Sequence, residues 1–307
     1  MSGIGVVVVN YGDPAVLEAN LLRHDLGAVS SAVVVVDNFS GAAHREAVAR
    51  LCARRGLEFC PLPTNAGFGP GVNAGAARAL DLGCDAVLVV NPDLRVPPEV
   101  VAALHAEVVA DPRRVVAPRI VREDGRLWFD GAEVSLRTGR TRRTGRLPGP
   151  DLRPWLTGAC LAVHRDLWAQ LGGFSDGYFL YWEDVDLSLR ALELGASLHV
   201  RADLEAVHLV GATQQHGFKS ATYVEFNCRN RLLFARRHLP ARRVARFVVS
   251  SPVYAAEVLR RDGWRRLLRD RSPVRAAVRG TVAGWRIALS PRRRPVAGPA
   301  RPGPAPR

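Results

Sequence analysis

The 307-residue chain lacks the signatures of several large protein classes. Its five cysteines are scattered, and none lies in a CxxC pair or at a Cys/His metal-binding spacing, so the sequence favours a reducing compartment over a disulfide framework. No uninterrupted apolar segment reaches the roughly 18 to 20 residues that a membrane-spanning helix needs. No basic stretch or cleavage site precedes the first apolar run, so we expect no signal peptide. Together these absences predict a cytoplasmic protein.

Three common nucleotide-binding signatures are also missing. The first apolar run, Ile4 to Val9, ends in Asn-Tyr-Gly-Asp instead of a GxGxxG turn, which disfavours a dinucleotide oxidoreductase. The same turn has no Lys or Arg, whereas a sugar nucleotidyltransferase normally carries a glycine-rich basic loop there. Thr64 to Ala79 is glycine-rich but lacks the Gly-Lys-Ser/Thr of a Walker loop. Its glycines allow a phosphate to approach the helix start that follows, and tight helix packing explains them equally well.

Excess charge is absent from most of the chain. The formal net charge is +14, and residues 241–307 hold 17 Arg, no Lys and three acidic residues, so residues 1–240 net to zero. Apolar clusters alternate with these arginines between residues 241 and 289, as in helices that lie on an anionic surface. Nucleic acid would attract the same charge, but the bulky aliphatic residues favour a membrane surface. Residues 291–307 are rich in Pro and Arg, which predicts disorder.

Short β-branched runs alternate with amphipathic segments over the first 240 residues. The early strands are continuous apolar runs, as in a parallel sheet covered on both faces. Strands are predicted at 4–9, 32–36, 57–60, 86–90, 115–121 and 197–201, and helices at 14–23, 44–55, 100–110 and 223–237. Since polar residues follow the strands, we predict an α/β sheet with a ligand crevice at its carboxyl edge.

A candidate cation site follows the fourth predicted strand. Asn91-Pro92-Asp93 places one carboxylate at the strand end, where it can hold a divalent cation with help from substrate phosphates. A simple turn before the next helix is the alternative. His208 follows a later strand, and a lone histidine there is usually structural. It joins the cation site only if it faces Asp93.

The strongest chemical signal lies between Trp155 and Gly195. A loop rich in aromatic residues leads into Glu-Asp-Val-Asp at the head of a predicted helix. The helix dipole favours acidic residues there, so capping explains one or two of them. Aromatic rings also desolvate a carboxylate and raise its proton affinity, which suits Asp184 to general-base chemistry. Asp186 lies about 200° around the helix from it, and is predicted to support the helix or to pair with Arg190.

Two other segments are predicted to contact the substrate. Residues 137–146 form a basic loop with Gly and Thr before Trp155, which we interpret as a mobile flap. The predicted helix 223–237 carries polar residues that are candidates for phosphate contacts near an acceptor: Asn227, Arg229, Asn230 and Arg231.

Several motifs occur in order within residues 4–237, and His208 follows the last of them: VVVVNYGD, VVDNFS, NAGFGPGVNAG, VVNPDL, TGACLAVHRDLW, GGF and YFLYWEDVDLSLR. Together they resemble a family 2 glycosyltransferase of the GT-A fold, and within it the rhamnosyltransferase-like group that builds bacterial cell-surface polysaccharide. The resemblance implies a Rossmann-like, mostly parallel sheet with helices on both faces over residues 1–240. An Arg-rich amphipathic helical extension (241–290) and a disordered tail (291–307) would follow.

The resemblance implies inverting transfer from a dTDP- or UDP-sugar, with rhamnose from dTDP-rhamnose as the leading candidate, and Mg²⁺ or Mn²⁺ as cofactor. The acceptor would be a glycan or a polyprenyl-linked glycan. Such an acceptor gives the basic extension a role, because it would hold the enzyme peripherally on the cytoplasmic face of the membrane. No nucleic-acid partner is expected.

The resemblance also implies roles for single residues. Asp184 matches the catalytic base, and Asp93 and His208 match the metal ligands. Asn91 replaces the first Asp of the family's Asp-x-Asp motif, which leaves Asp93 as the main carboxylate. The substrate-binding set is Asn10, Tyr11, Asp37, Asn38, Asn65, Gly67, Asn73, Asn91, Gly158, Trp182 and Glu183.

A different class of function is a catalytically degenerate protein that binds membrane or nucleic acid through its basic tail. Asn91 supports this alternative. The joint presence of Asp93, Asp184 and His208 argues against it, since an inactive site needs none of the three.

Overall fold

The computed structural model describes residues 3–143, 149–209, 220–260 and 270–291. Within these ranges, nine strands form a central sheet and three form a smaller antiparallel sheet. The central strands are β1 (Ile4–Asn10), β2 (Ala32–Asp37), β3 (Glu58–Pro61), β4 (Ala86–Val90), β5 (Leu94–Arg95), β6 (Arg114–Arg122), β7 (Leu127–Phe129), β11 (Cys160–His164) and β12 (Ser197–His208). The smaller sheet has β8 (Ala132–Ser135), β9 (Thr141–Arg143) and β10 (Leu152–Trp155).

Helices connect and cover these strands. They are α1 (Ala15–Ala19), α2 (Ala42–Arg55), α3 (Phe68–Asp81), α4 (Pro98–Ala110), α5 (Arg165–Leu171), α6 (Glu183–Glu193), α7 (Ala221–His238), α8 (Ala241–Val249), α9 (Ser251–Arg260) and α10 (Ser272–Leu289). The helix predicted over residues 14–23 is broken at Asn20, whose side chain donates to the Val16 carbonyl at 2.7 Å. A 3₁₀ turn, Leu21–Arg23, follows it.

The central sheet has the order β3-β2-β1-β4-β11-β6-β12-β5, with β7 beside β6. Strands β3, β2, β1 and β4 are mutually parallel, as are β6 and β12, whereas β11 is antiparallel to both of its neighbours. Every residue of β1 and β4 is buried. Since side chains alternate between faces, the sheet is covered on both sides. The predicted α/β fold with a mostly parallel sheet is confirmed.

The glycine-rich segment serves both packing and a turn. A Cβ on Gly75 of α3 would lie 2.5 Å from Val7 Cγ1 and 2.7 Å from Val36 Cγ2, so the glycine lets α3 lie directly on β1 and β2. The packing interpretation is therefore correct for Gly75. Gly67, before the helix, has a different role at the site.

Strand β12 is longer than the predicted strand 197–201. Its pairing with β6 shifts register between Arg201 and Glu205, and the strand then continues to His208. His208 pairs there with Leu94 of β5, the residue after Asp93. The irregular second half of β12 thus brings two distant polar residues together.

The described part of the predicted flap forms a β-hairpin, and its mobility stays a prediction. Thr141–Arg143 is strand β9, which pairs with β8. In the turn before it, Gly139 N–H donates to the Ser135 carbonyl at 2.7 Å. Residues 137–143 therefore belong to a hairpin, because β8 offers them a pairing edge. Residues 144–146 of the predicted flap lie outside the described residues.

The C-terminal helices α8, α9 and α10 pack against α7. A Cβ on Gly280 of α10 would lie 2.1 Å from the Glu225 carbonyl oxygen, so the two helix backbones are in close contact. Phe247 of α8 is fully buried in a second core with Trp182 and Phe234. The predicted boundary at residue 240 stays a prediction, and helices on both sides of it share this core. Residues 261–269 and 292–307 of the predicted extension and tail lie outside the described residues.

Candidate active site

The carboxyl end of β2 presents a buried acid with one unsatisfied oxygen. Asp37 Oδ2 accepts a hydrogen bond from Arg45 Nε at 2.6 Å, and the Arg45 guanidinium lies over the Phe39 ring. Asp37 Oδ1 is buried without a hydrogen-bond partner among the described residues. An unpaired buried oxygen is costly unless a ligand satisfies it. This arrangement fits the predicted contact of Asp37 with a polar ligand.

The end of β1 lies beside it and contributes Asn10 and Tyr11. Asn10 is buried, and its Nδ2 donates to the Gly12 carbonyl at 3.0 Å, which fixes the turn. The Tyr11 ring is 61% exposed, an unusual state for a large apolar side chain. An exposed ring at the carboxyl edge of the sheet is available to stack on a nucleobase.

Asn38 joins this edge to the glycine-rich loop. Its Nδ2 donates to the Gly67 carbonyl at 3.1 Å, and its Oδ1 accepts from Ala66 N–H at 2.9 Å. Asn65 Oδ1 accepts from Gly67 N–H at 3.0 Å. Gly67 has φ +93°, and a Cβ there would lie 2.3 Å from the Phe179 carbonyl oxygen. Only glycine lets this loop touch the aromatic loop.

Asn73 has a structural role, and its predicted ligand contact stays a prediction. Its Nδ2 donates to the Phe174 carbonyl and its Oδ1 accepts from Phe174 N–H, both at 2.8 Å. The side-chain amide thus binds one backbone unit at both ends. It fastens α3 to the turn that follows α5.

Asp93 and His208 face each other. His208 Nε2 lies 3.2 Å from Asp93 Oδ1, and the two residues are 8% and 7% exposed. Asp93 Oδ1 and His208 Nδ1 have no hydrogen-bond partner among the described residues. The described residues contain no cluster of three or more His, Cys, Asp or Glu that could hold a metal. Two protein ligands therefore suit a cation that takes its other ligands from a phosphate-bearing substrate.

Asp184 lies in the first turn of α6 and is partly exposed. Its Oδ1 accepts from Val185 N–H at 2.8 Å, and its Oδ2 accepts from Gly158 N–H at 3.2 Å. Burial raises the pKa of Asp184 to about 6, although the N–H groups of Gly158 and Val185 lower it. A carboxylate with this pKa is ionised at neutral pH and still has appreciable proton affinity.

Backbone contacts connect the base to the cation pair. Asn91 N–H donates to the Ala159 carbonyl at 2.8 Å, and the adjacent Gly158 N–H binds Asp184. A Cβ on Gly158 would lie 3.2 Å from the Phe68 ring. The segment before β11 therefore lies between the turn that carries Asp93 and the head of α6.

The backbone before Asp184 is in an unusual conformation. Tyr181 and Trp182 have φ values of +67° and +76°, in the left-handed region that costs non-glycine residues about 1 to 3 kcal/mol each. Asn230 Nδ2 donates to the Leu180 and Tyr181 carbonyls, at 2.9 and 2.8 Å. Trp182 Nε1 donates to Asn227 Oδ1 at 3.2 Å. Helix α7 thus holds the loop that aims Asp184.

These contacts give α7 a structural role at the aromatic loop, and its phosphate contacts near the acceptor stay a prediction. Asn227 and Asn230 bind the aromatic loop, and Arg231 is only 1% exposed. Arg229 Nη1 donates to the Gly177 carbonyl at 2.8 Å. The positioning role of Asn230 was missed. The signal for it was an amide on the face of α7 that also carries buried apolar residues.

Glu183 is buried at the start of α6, and its Oε2 has no hydrogen-bond partner among the described residues. Burial raises the pKa of Glu183 well above its usual range, and the negative charge of Asp184 raises it further. Both effects favour the neutral, protonated form of Glu183.

Asp186 is held in a buried network on the other side of α6. It accepts from Arg190 Nε at 2.8 Å, as predicted, and also from the Ser175 hydroxyl at 2.6 Å and the Tyr178 hydroxyl at 3.1 Å. His238 Nε2 lies 2.8 Å from its Oδ1. Burial alone would raise the pKa of Asp186, but His238, Arg190 and Ser175 together hold it well below its usual range.

Residues 7–170, just over half of the chain, match the family described as glycosyl transferase family 2. Two curated relatives align with most of the chain. The low-salt glycan biosynthesis hexosyltransferase Agl10 of Haloferax volcanii is 26% identical over 76% of this chain and 75% of its own length. The N-acetylglucosaminyl-diphospho-decaprenol L-rhamnosyltransferase of Mycobacterium tuberculosis is 28% identical over 91% of this chain and 90% of its own.

A solved structure supports the fold. The mannosyltransferase PcManGT of Pyrobaculum calidifontis, in complex with GDP-Man and Mn²⁺, superposes with a TM-score of 0.52 at 16% identity, over 93% of this chain and 87% of that one. This likeness concerns the fold alone, and it confirms the predicted GT-A architecture.

Proposed function

This chain belongs to glycosyl transferase family 2, and we propose that it transfers a sugar, with inversion, from a nucleotide-diphosphate donor to a glycan or lipid-linked acceptor. The observation that carries the proposal is Asp184, a partly exposed carboxylate whose pKa is raised to about 6. Its two oxygens accept from two backbone N–H groups, which fix the carboxylate in place.

Asp184 acts as the general base. It takes the proton of an acceptor hydroxyl, whose oxygen attacks the anomeric carbon from the face opposite the leaving diphosphate. General-base assistance of this kind contributes about 10²- to 10⁴-fold to the rate. Because Asp186 is occupied by Arg190, Ser175, Tyr178 and His238, it has no free oxygen for this reaction.

The residues at the ends of β4 and β12 fit a divalent cation. Asp93 and His208 would hold Mg²⁺ or Mn²⁺. Their facing atoms, Asp93 Oδ1 and His208 Nε2, lie 3.2 Å apart without a hydrogen bond between them, which supports this assignment. When bound, the cation would neutralise negative charge on the donor diphosphate. Asn91 supplies no carboxylate, so we expect weak metal affinity in the absence of donor.

The nucleotide would bind along the carboxyl ends of β1 and β2. Asp37 Oδ1 would accept a hydrogen bond from the base or ribose, and Tyr11 would stack on the base. Asn38, Asn65 and Gly67 shape the loop that faces the diphosphate. The rhamnosyltransferase relative supports rhamnose as the transferred sugar and a polyprenyl-diphosphate glycan as acceptor. We keep dTDP-rhamnose as the leading candidate for the donor.

A lipid-linked acceptor would require the protein to work at a membrane surface. None of the described helices combines the length and apolar character of a bilayer span. We assign the attachment to the arginine-rich helices of residues 241–290. Among the described residues of this segment, five large apolar side chains are exposed: Val249, Val253, Val274, Val278 and Leu289.

The test is donor turnover by the purified protein across a panel of dTDP- and UDP-sugars with Mg²⁺ or Mn²⁺, with and without a membrane lipid extract. We expect nucleotide-diphosphate release from one donor, raised by the extract. Asp184→Asn should lower kcat about 10³-fold. The matched control is Asp166→Asn, which removes a carboxylate whose side chain is 69% exposed and should leave kcat unchanged.

Two outcomes would overturn the proposal in different ways. Equal turnover by Asp184→Asn and the parent protein would remove the base assignment. No turnover with any donor, together with no binding of nucleoside diphosphates, would favour the degenerate binding protein that Asn91 allows.

A further inference from the structure

A cavity of about 280 Å³ lies between the β8–β9 turn and the junction of α8 and α9. Four arginines line it, two from the turn, one from α7 and one from α8: Arg137, Arg140, Arg231 and Arg246. Ligand pockets usually span about 300 to 1,000 Å³, so this one suits a compact group and is too small for a nucleotide.

Arg231 forms the buried wall of the cavity and has only neutral hydrogen-bond partners. Its Nε and Nη2 donate to the Thr138 carbonyl at 3.0 and 2.7 Å, and its Nη1 donates to the Phe247 carbonyl at 3.1 Å. Its Nη2 also donates to Ser250 Oγ at 2.9 Å. Burial lowers the pKa of Arg231 to about 10, so it remains charged at neutral pH. A buried cation without a carboxylate partner is costly, and an anion in the cavity would offset that cost.

The other arginines add positive charge at the cavity mouth. Arg140 pairs with Glu257. In the described part of the chain, no ion pair involves Arg137 or Arg246, and both residues are exposed. The cavity thus joins four cationic groups to one nearby carboxylate, the pattern that binds phosphate.

The hairpin is held tightly against this site. Gly139 has φ +68°, and a Cβ there would lie 2.6 Å from the Phe247 ring and 2.7 Å from Arg231 Nε. The turn that carries Arg137 and Arg140 therefore has a defined position. The cavity is built by the fold and is not a chance grouping of surface side chains.

An exposed apolar surface adjoins the cavity. Val253 lines it and is 58% exposed, and Val249 on the preceding helix is 80% exposed. Aliphatic side chains beside arginines suit a membrane interface, where the chains enter the bilayer and the arginines meet phosphates. Single-stranded nucleic acid would need exposed rings for stacking, whereas the rings of Phe247 and Tyr254 are buried against Arg231.

We propose that this arginine-lined cavity binds the phosphate or diphosphate group of a membrane lipid. The inference deepens the membrane attachment in the proposed function, and it does not depend on sugar transfer. The phosphate could belong to a bulk phospholipid or to the polyprenyl-diphosphate acceptor, since both carry the same chemistry.

The experiment is sedimentation of the full chain with vesicles, in EDTA and without donor. The probes are phosphatidylcholine alone, phosphatidylcholine with a minority of phosphatidic acid, and phosphatidylcholine with a polyprenyl diphosphate. The double variant Arg137→Gln/Arg246→Gln removes two cavity charges at exposed positions. Its control, Arg242→Gln/Arg275→Gln, removes the same charge from exposed positions away from the cavity. Equal Tm values would show that both variants are folded.

We expect the fold-decrease in the partition coefficient onto phosphate-bearing vesicles to be at least about tenfold larger for the cavity variant than for the control. The reason is that the cavity variant also loses charge-assisted hydrogen bonds. A larger effect with polyprenyl diphosphate would identify the acceptor as the source of the phosphate, and equal effects would identify phospholipid. Equal losses in both variants would overturn the proposal in favour of diffuse surface charge. Binding of inorganic pyrophosphate to the parent and the cavity variant is measured beside the vesicles. Loss of that binding in the cavity variant with unchanged vesicle binding would overturn the lipid assignment. Asp184→Asn should keep vesicle binding, which separates this test from that of sugar transfer.

Discussion

The two sides of α6 place carboxylates in opposite environments. Asp184 accepts only backbone N–H groups, and burial raises its pKa to about 6. Two residues later, Asp186 is surrounded by Arg190, His238 and two hydroxyls, which hold its pKa well below the usual range. Burial alone would raise the pKa of both carboxyl groups. The difference comes from the partners, since cations and hydroxyls stabilise the charged form of Asp186 more than its burial disfavours it.

This contrast separates a residue that can exchange a proton from one that holds the fold. A permanently ionised, fully bonded carboxylate has no oxygen left for a substrate. Asp186 instead connects α6 to the loop after α5, through Ser175 and Tyr178, and to the end of α7, through His238. Asp184 can remain partly unsatisfied because Asp186 fixes the helix that carries it.

Among the substitutions that test this contrast, Asp186→Asn is expected to have the largest effect, and that effect is on stability. The change leaves Arg190 and His238 without their buried anion, and breaking a buried ion pair costs about 3 to 5 kcal/mol. We expect a loss of about 3 kcal/mol in the free energy of unfolding, measured by urea denaturation at pH 7.

The control for this variant is Asp203→Asn, which removes an exposed carboxylate paired with Arg201 and should change stability by less than about 1 kcal/mol. Because the folded pKa of Asp186 is depressed, its contribution is present above its unfolded pKa of about 3.9 and is lost as the pH falls below it. Parent and Asp186→Asn stabilities should therefore converge below about pH 4. A difference that stays constant as the pH falls well below 4 would show that the charge of Asp186 does not stabilise the fold.

The second-largest expected effect is the pH dependence of kcat/KM. The base is active when ionised, so kcat/KM should rise with pH and level off above an apparent pKa of about 6. Between pH 7 and pH 5 we expect a loss of about tenfold, measured with saturating metal.

Residual activity of Asp184→Asn should lack this acidic limb, since asparagine does not titrate. The same limb in both proteins would assign the titration to another group and weaken the case for Asp184.

Much of this site could be predicted from sequence where local patterns decide the structure. Strand β4 has the predicted bounds of 86–90, because a buried β-branched run has few alternatives. The Asp186–Arg190 pair follows from helical spacing alone. The contact between Asp93 and His208 could be predicted only conditionally from the sequence, since it depends on the register shift in β12.

Other features of the site could not be predicted, because they depend on tertiary packing that no local sequence pattern encodes. Arg231 looked like a surface cation, and its burial follows from how α8 and the β8–β9 hairpin cover α7. Asn73 and Asn230 carry amides that suit a ligand equally well. Only the fold reveals that backbone carbonyls occupy them.

The smallest effect is expected from Glu183→Gln, and it tests the charge state beside the base. Burial and the adjacent Asp184 raise the pKa of Glu183, which favours its neutral form, and glutamine has nearly the same shape as a neutral carboxylic acid. We therefore expect kcat to change by less than about twofold, an effect of about 0.4 kcal/mol, and the acidic limb of the pH profile to stay near its original position. Glu183→Asp is the matched comparison, because it keeps the acid but shortens the side chain and should perturb packing more. A tenfold loss in Glu183→Gln alone would mean that a negative charge is needed there. In that case Glu183 and Asp184 would share one titration, and the base would be the pair of carboxylates.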